Sequence, residues 1–285
     1  MDLLSIGFIS LFVISLGISK FLNRNYDRAL TPIVLVLILT ISAWASSSLS
    51  SASEILSVIL LSLIYALIVV FSTYVVGLLI GKADIRLMDT KREFKHSFIL
   101  AIIFGWASGY FLPSYLPFKE AISIELLILA VAAGIAVGNH FSWDLLKKSA
   151  RTTALTLIAA IIGALIAGSI ASILLSIDLG TSWAICLGMG WYTYAGPMIA
   201  TYKGSVLGSI AFLANFIREQ FTFILIPLLK GNPASLISIG GATTMDDTLP
   251  IYIARLGKDY SIPSISSGLL LTILVPFLIP LALSF

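Results

Sequence analysis

Three carboxylates stand in stretches of sequence that are otherwise apolar enough to lie within a membrane. Glu219 lies in the run GSVLGSIAFLANFIREQFTFILIPLLK, and Asp246 and Asp247 lie in NPASLISIGGATTMDDTLPIYIARLG. An ionised carboxylate at membrane depth costs about 3 kcal/mol unless water, a cation or a proton accompanies it. Because such a group can bind either an ammonium ion or a proton, but not both, the three acids indicate cation exchange across a membrane.

Arg218 directly precedes Glu219, and adjacent residues do not share a helical face. We therefore expect Arg218 to form a structural ion pair with a carboxylate of another span, such as Asp246 or Asp247. Arginine keeps its charge, whereas a carboxylate can exchange a proton, so proton coupling is assigned to Glu219 and Asp246. Asp247 or Thr248 would serve as the N-cap of a short helix that follows.

The residues predicted to bind substrate carry a carboxylate, an amide, a hydroxyl or an aromatic ring close to these acids in the sequence. They are Glu219, Asp246, Asp247, Asn215, Thr243, Thr244, Trp191 and Tyr194. Aromatic faces near carboxylates attract ammonium groups, although packing against neighbouring helices explains any single ring equally well. The spacing of His96 and His140 is not that of a metal pair, and no cofactor is expected beyond a coupling H⁺ or Na⁺.

The composition is that of a membrane protein. Of the 285 residues 59% are hydrophobic and 11% are charged, against about 25% charged in soluble domains. The composition excludes a disordered, collagen-like or disulfide-scaffold protein, and a net charge of +3 suggests no nucleic-acid partner. The expected partners are the lipid bilayer and a small cationic substrate, and a homodimer is left open.

Apolar runs of about 20 residues predict an all-α polytopic membrane protein with about ten transmembrane spans. These cover residues 3–20, 29–48, 55–81, 97–113, 122–138, 152–175, 181–200, 204–228, 234–256 and 262–284. If the ten spans alternate, fourteen lysines and arginines, including Lys203, fall on one side and two, Lys119 and Lys230, on the other. Basic residues concentrate in cytoplasmic loops. A multi-pass protein of the cell membrane with both termini outside is therefore expected.

The ten spans divide into two inverted five-span repeats, residues 1–138 and 152–285, joined by a cytoplasmic basic linker at 139–151. In transporters with inverted repeats the binding site lies near the midplane, where broken helices meet. Trp44 and Trp191 would each mark a broken helix. Residues 240–248 are predicted to be non-helical and to lie beside a broken fourth span at 105–109.

The chain resembles the LysO lysine-exporter family in GWYTYAGP, FLANFIREQFTFILIPLL, GGATTMDDTLP and the closing LLLTILVPFLIPLAL, across about residues 120–285. The resemblance implies L-lysine export and a fold like that of cation/proton antiporters and bile-acid transporters, with crossed broken helices. It also implies that Glu219 and Asp246 are the family's membrane acids. The family has a further acid near the end of the second span, where Glu54 is the nearest carboxylate here. Either Glu54 replaces it, or the substrate or coupling differs.

Glu125 is expected to extend towards the membrane surface.

The predicted function is a secondary transporter that exports L-lysine or a related cationic amino acid by antiport with protons or another cation. No GxxxxGK[ST] motif is present, so an ion gradient or the membrane potential must supply the energy. A monovalent cation/proton antiporter and a sodium-coupled organic solute transporter are the alternatives. An intramembrane hydrolase is the least favoured, because the GxGD pattern is absent and no histidine in a span could activate a serine. The protein is therefore not expected to be an enzyme.

Overall fold

The part of the chain that the structure describes is almost entirely α-helical. The computed structural model describes residues 3–22, 27–48, 51–81, 96–113, 115–140 and 143–285. Within these residues there are twelve α-helices and two short 3-10 helices, Gly241–Met245 and Lys258–Tyr260. The α-helices are α1 (Leu3–Leu22), α2 (Asp27–Ser48), α3 (Ala52–Ile80), α4 (His96–Phe111), α5 (Phe118–His140), α6 (Trp143–Leu175), α7 (Leu179–Cys186), α8 (Tyr192–Lys203), α9 (Ser205–Leu225), α10 (Pro233–Gly240), α11 (Leu249–Leu256) and α12 (Ser261–Leu283).

Four helical segments of the described residues are long and apolar enough to cross a membrane. They are Ser53–Ile80, Phe118–Gly138, Leu146–Leu175 and Lys258–Leu283. Shorter apolar helices cover Leu3–Ser19 and Pro32–Ser47. Large apolar side chains point outward along these segments, among them Phe71, Leu79 and Ile173 with 68%, 78% and 86% exposure. A surface of this kind needs lipid as its solvent, so the chain is a membrane protein.

Small residues allow α1 and α5 to pack closely and in parallel. A Cβ added to Gly134 would lie 2.5 Å from Phe12 O, and one added to Gly138 would lie 2.6 Å from Leu16 O. Close backbone approach at small residues is the usual way in which helices pack within a membrane. Both helices therefore begin on the same side of the bundle, which we call the Leu3 side after the first residue of α1.

α3 crosses the bundle from the Leu3 side to the opposite side. In its first half, the Tyr65 hydroxyl lies 2.7 Å from Ser182 Oγ in α7. Near its end, a Cβ added to Gly77 would lie 2.4 Å from Ser235 Cα in α10. The C-cap of this 29-residue helix is Gly81, after which we name the Gly81 side. A helix of this length spans about 43 Å, more than the membrane core of about 30 Å.

α7 and α8 form a hairpin that begins and ends on the Leu3 side. Asp178, the N-cap of α7, forms a salt bridge with Lys203, the last residue of α8, over 3.5 Å. The Tyr202 hydroxyl lies 2.7 Å from Ser5 Oγ at the start of α1. Partial burial raises the pKa of Asp178, but hydrogen bonds from Thr181 and the charge of Lys203 outweigh this and hold that pKa below its ordinary value. These contacts fasten the two ends of the hairpin together.

α10 and α11 form a second hairpin, which begins and ends on the Gly81 side. Asn232, the N-cap of α10, donates a hydrogen bond from Nδ2 to Gly77 O over 3.0 Å. In the last turn of α11, Arg255 Nη2 donates to Leu229 O over 3.1 Å. Leu229 follows α9 and lies shortly before Asn232 in the chain, so both ends of the second hairpin share one neighbourhood.

The two hairpins differ from the interrupted crossings predicted at 181–200 and 234–256. The interruptions are present, but after each of them the chain returns to the side from which it came. α7, α10 and α11 have eight residues each, which rise about 12 Å, less than half of a membrane core of about 30 Å. Composition does not distinguish a half-helix that continues from one that turns back. The prediction of ten spans is not confirmed.

The described residues of the first half do not show the matching interruptions that inverted repeats would share. Trp44 lies inside the continuous helix α2, whereas Trp191 lies at the turn before α8. α4 is also continuous, and its glycines pack on α2, where a Cβ added to Gly109 would lie 2.2 Å from Ala43 O. The predicted contact of 240–248 with residues 105–109 is therefore wrong. The inverted repeats remain a prediction.

The segment 139–151, predicted to be a basic linker, is mostly helical. α5 continues to His140 and α6 begins at Trp143, while residues 141–142 lie outside the described residues. The helix that begins here starts with the apolar residues Trp143, Leu145 and Leu146, and the basic residues Lys147, Lys148 and Arg151 follow within it. The division of the chain into units 1–138 and 152–285 stays a prediction.

The hairpins place two lysines, Lys203 and Lys230, on the sides of the membrane opposite to those predicted from ten alternating spans. Lys203 lies on the Leu3 side through its pair with Asp178. Lys230, whose carbonyl accepts a hydrogen bond from the Tyr74 hydroxyl, lies between α9 and the second hairpin, towards the Gly81 side. The alternating-span prediction places these two lysines the other way round. Because one lysine replaces another, the exchange leaves the predicted count of fourteen against two unchanged.

Cysteine labelling would distinguish the hairpins from ten alternating crossings. In a Cys186→Ala background, we expect Lys203→Cys to react with a membrane-impermeant maleimide from the same side as Lys119→Cys. We expect Lys230→Cys to react from the side of Lys147→Cys. Lys119 and Lys147 are controls, because both topologies place them on opposite sides. Labelling of intact cells and of inside-out vesicles supplies the comparison. Labelling of position 203 from the side of position 147, and of position 230 from the side of position 119, would contradict the hairpins.

Candidate functional site

The tip of the first hairpin, residues 187–191, is held by Asn215 of α9. The backbone turns through positive φ angles of 53° at Met189 and 84° at Gly190. Asn215 Nδ2 donates to Ile185 O over 2.9 Å, and its Oδ1 accepts from the Gly190 N–H over 2.8 Å. These bonds satisfy backbone groups at the end of α7 and in the turn, which lipid could not do. Asn215, a predicted substrate residue, thus supports the tip.

The second hairpin is held by Arg218, also on α9 and fully buried. Its Nε donates to Ile239 O over 2.8 Å and its Nη2 to Ser238 O over 2.9 Å. Carbonyls at the end of a helix lack partners within it, and a cation there also offsets the helix dipole. The predicted ion pair is wrong in its partner, because within the described residues Arg218 binds the carboxyl end of α10 and no carboxylate lies within salt-bridge distance of it.

The two hairpin tips touch through their backbones. The N–H of Ala242 donates to Met189 O over 2.8 Å. Gly241 has a φ of 65°, and a Cβ added to it would lie 2.3 Å from Met189 O. Across the same contact, a Cβ added to Gly190 would lie 3.1 Å from Gly240 O. Any side chain at Gly241 would push the tips apart, so glycine is required both for the turn and for the contact.

Glu219 faces the start of α8 and is fully buried. Its carboxyl lies opposite the Tyr192 hydroxyl, with which it interacts electrostatically. Asp246 and Asp247, at the tip of the second hairpin, act on the same hydroxyl. The fold therefore places the three carboxylates that the sequence singled out, one on α9 and two on the second hairpin, within electrostatic range of Tyr192, which begins the second arm of the first hairpin.

The two aspartates differ in their access to solvent. Asp246 is exposed and Asp247 is partly buried. The Asp247 N–H donates to Asp246 Oδ1 over 2.6 Å. Thr248 occupies the N-cap position of α11 without a side-chain capping bond, so the predicted cap role of Asp247 is wrong: it precedes that position. Asp246 is thus the accessible acid of the group and Glu219 the enclosed one.

Thr243 and Thr244, both predicted to bind substrate, use their hydroxyl groups inside the second hairpin. Thr243 Oγ1 donates to Gly240 O over 3.0 Å. Thr244 Oγ1 lies 2.8 Å from Gly241 O and 2.9 Å from Ser264 O, the latter in α12. The bonds to Gly240 O and Gly241 O satisfy carbonyls at the end of α10. The bond to Ser264 O links the tip to α12. The two threonines therefore shape the tip that presents the aspartates.

Trp191 and Tyr194 pack against α1. Their rings are 5.1 Å apart, and they lie 6.2 Å and 4.4 Å respectively from the ring of Phe8. Tyr192, which the substrate prediction omitted, is the aromatic residue beside Glu219. Consecutive helical positions lie about 100° apart, so the start of α8 decides which ring of GWYTYAGP faces the acids. The motif GWYTYAGP was visible in the sequence. The sequence did not show which of its aromatic rings would face the carboxylates.

Glu54, the only carboxylate near the end of the second span, stabilises the start of α3. Its N–H donates to Ser51 Oγ over 3.3 Å, and Ser51 N–H donates to Glu54 Oε2 over 3.3 Å, which is a capping box. Glu125, predicted to extend to the membrane surface, is partly buried and its Oε1 lies 2.8 Å from Thr40 Oγ1 in α2. The structure thus places Glu125, rather than Glu54, against the second helix.

Comparisons with known proteins point to a single family. A family model described as lysine exporter LysO matches residues 99–283. Lysine exporter LysO of Escherichia coli (strain K12) is 31% identical over 180 residues, which are 62% of this chain and 60% of that protein. A Haemophilus influenzae protein, provisionally named a lysine exporter, is 31% identical over 195 residues, 65% of this chain and 96% of that protein. The chain thus spans about 60% of the E. coli relative's length. The region matched by the family model includes α9 and both hairpins.

Proposed function

Because this chain belongs to the lysine exporter LysO family, we propose that it is a secondary transporter that exports L-lysine or a related cationic amino acid in exchange for protons or another cation. The observation that carries this proposal is the cluster of Glu219, Asp246 and Asp247 around Tyr192. The cation closest in sequence, Arg218, is bound to the end of α10 instead. Three carboxylates within electrostatic range of one residue suit the binding of an ammonium group.

The chemistry of exchange follows from competition for the same carboxylates. When a carboxylate is protonated it no longer attracts an ammonium ion, and a bound ammonium ion disfavours protonation of the same group. Lysine carries two ammonium groups, so two acids can bind it at the same time. A cluster with one enclosed acid and one exposed acid suits this arrangement, because substrate or protons can reach Asp246 before Glu219.

The opposed hairpins suggest how access could alternate between the two sides of the membrane. The first hairpin reaches the cluster from the Leu3 side and the second from the Gly81 side, and their tips touch between Met189 and Ala242. Displacement of either hairpin would open the cluster to one side only. The excess of basic residues near the Gly81 side supports a cytoplasmic position for that side in the cell membrane, with Leu3 and Leu283 outside.

The proposal is tested by counterflow of labelled amino acids in proteoliposomes. Proteoliposomes loaded with unlabelled lysine should take up labelled lysine from the medium. The same measurement with labelled arginine and ornithine should define the substrate range. An imposed pH gradient should drive net lysine movement if protons couple, and a sodium gradient should do so if Na⁺ couples. Absence of lysine counterflow in purified, folded protein would contradict the proposed function.

Neutral variants of the two aspartates should separate their contributions. We expect Asp246→Asn to abolish lysine efflux, because it removes the accessible charge of the cluster. Asp247→Asn should keep partial activity, because the backbone N–H of residue 247, which asparagine retains, orients the Asp246 carboxylate. Efflux from preloaded vesicles measures both variants. Equal rates for Asp246→Asn and the parent protein would remove Asp246 from the mechanism.

A further inference from the structure

Glu125 is a membrane carboxylate that lies away from the hairpin tips, between α5 and α2. It lies about two turns into Phe118–Gly138, one of the helical segments long and apolar enough to cross a membrane. Ile124 and Ile128 on the same helix are 61% and 50% exposed, which indicates that the adjacent face meets lipid. Within the described residues, the buried Oε2 atom of Glu125 has no hydrogen-bond partner. An ionised group in this position would leave charge on an oxygen that nothing solvates.

The contacts of Thr40 indicate which protonation state fits. Thr40 Oγ1 lies 2.8 Å from Glu125 Oε1 and 3.0 Å from Val36 O. A hydroxyl has one proton to donate, and a carbonyl can only accept. If Glu125 carries a proton on Oε1, it donates to Thr40, which in turn donates to Val36, and both short contacts are hydrogen bonds. If Glu125 is ionised, Thr40 satisfies only one of the two oxygens and Oε2 keeps its uncompensated charge.

Among their described side chains, the helices packed against α5 offer no countercharge to Glu125. They are α1, α2, α8 and α12. Among their described side chains, α1, α2 and α12 contribute no titratable group, and α8 contributes Tyr192, Tyr194, Tyr202 and Lys203. Lys203 is paired with Asp178, and Tyr202 contacts Ser5. On α5 itself, Lys119 and Glu120 lie in the first turn and are exposed. Burial without a nearby cation favours the neutral carboxyl.

We propose that Glu125 is a proton-binding site in the first half of the transporter, occupied by a proton in this conformation and discharged during the transport cycle. This role in the cycle rests on the proposed function. The two partners of the site, Thr40 and Glu125, belong to different helices, and α2 also packs against α8 and α9. A displacement of the first hairpin that moves α2 relative to α5 would separate the pair. Water could then reach the carboxyl and accept its proton.

Infrared spectroscopy of the purified protein tests whether the proton is present. The parent protein at neutral pH should show a carbonyl-stretching band of a protonated carboxyl that shifts in D₂O, and Glu125→Gln should lose it. Glu120→Gln, on the exposed first turn of the same helix, is the matched control and should leave the band unchanged. An identical band in Glu125→Gln overturns the proposal. If that variant does not fold, Thr40→Val should shift the band by removing its partner, and an unshifted band overturns the proposal equally.

Transport measurements test whether the proton is used. Glu125→Gln should lose the response of net lysine efflux to a pH gradient, while lysine-for-lysine exchange, which needs no net proton movement, continues. Glu120→Gln should respond as the parent protein does. An unchanged pH-gradient response in Glu125→Gln overturns the proposed discharge. Failure of the proposed function gives a different result: the parent protein itself then shows no counterflow, and the infrared experiment alone decides whether Glu125 holds a proton.

Discussion

Glu219→Gln is expected to reduce lysine efflux to the background of protein-free vesicles while the protein remains folded. Glutamine has nearly the shape of glutamate, so it fits the fully buried site beside Tyr192. It has no charge to attract an ammonium ion and cannot take up a proton. Because Glu219 is the enclosed acid of the cluster, Asp246 cannot replace it from its exposed position. The loss should therefore appear in net efflux and in lysine exchange alike.

The matched control for this substitution is Glu54→Gln. Glutamine at this position of a capping box stabilises a helix start as glutamate does, so Glu54→Gln should transport lysine at the parental rate. The same variant tests the expectation that Glu54 replaces an acid in the first half of the chain. Efflux from vesicles loaded with labelled lysine, together with gel filtration in detergent, measures both variants. Parental transport by Glu219→Gln would show that this carboxylate has a structural role only.

Gly241→Ala is expected to abolish transport and to lower the thermal stability of the protein. The φ of 65° at this position is unfavourable for alanine by about 1–2 kcal/mol. In addition, the new Cβ would lie 2.3 Å from Met189 O, a distance at which one of the two backbones must move. The hydrogen bond between Ala242 and Met189 would then be lost, and with it the closed contact between the tips.

Gly204→Ala separates the effect of backbone strain at a positive φ from the effect of a collision between the hairpin tips. Gly204, between α8 and α9, has a φ of 91°, but a Cβ there would meet nothing within 4 Å. This variant has the backbone strain without the collision, so it should lower the unfolding temperature modestly and retain most of the efflux. Thermal unfolding in detergent and efflux from vesicles provide the comparison. If the two variants transport equally well, the contact between the tips is not needed for function.

The acids of the candidate site are easier to find in the sequence than the path of the chain through the membrane. Acids in apolar surroundings are visible without a structure, because few other reasons place Glu219, Asp246 and Asp247 there. The interruptions near Gly190 and Gly241 were also visible, as glycine-rich and proline-flanked positions. The direction of the chain after each interruption depends on contacts between distant residues, such as Asp178 with Lys203. A pattern of apolar and polar residues contains no record of those contacts.

Partners that are backbone atoms were beyond the reach of sequence reasoning. A buried arginine near two aspartates favours an ion pair when only side chains are considered. In the structure the α10 helix presents two open carbonyls, of Ser238 and Ile239, closer to Arg218 than any carboxylate of the described residues. Likewise, Asn215 is bound to the backbone of the first hairpin. In both cases a helix that ends inside the membrane created a partner that composition could not reveal.

The position of Asn215 in the chain has a consequence for biosynthesis. The first hairpin turns at Gly190, yet the side chain that satisfies its tip is 25 residues further on. A ribosome therefore completes α7 and α8 before it makes the residue that allows their open backbone groups to be buried. Until α9 emerges, the hairpin must remain hydrated or be sheltered by the insertion machinery. Arg218, in contrast, is already in place when α10 is made, so the two hairpins have to mature in a fixed order, each on a helix that comes from the middle of this half of the chain.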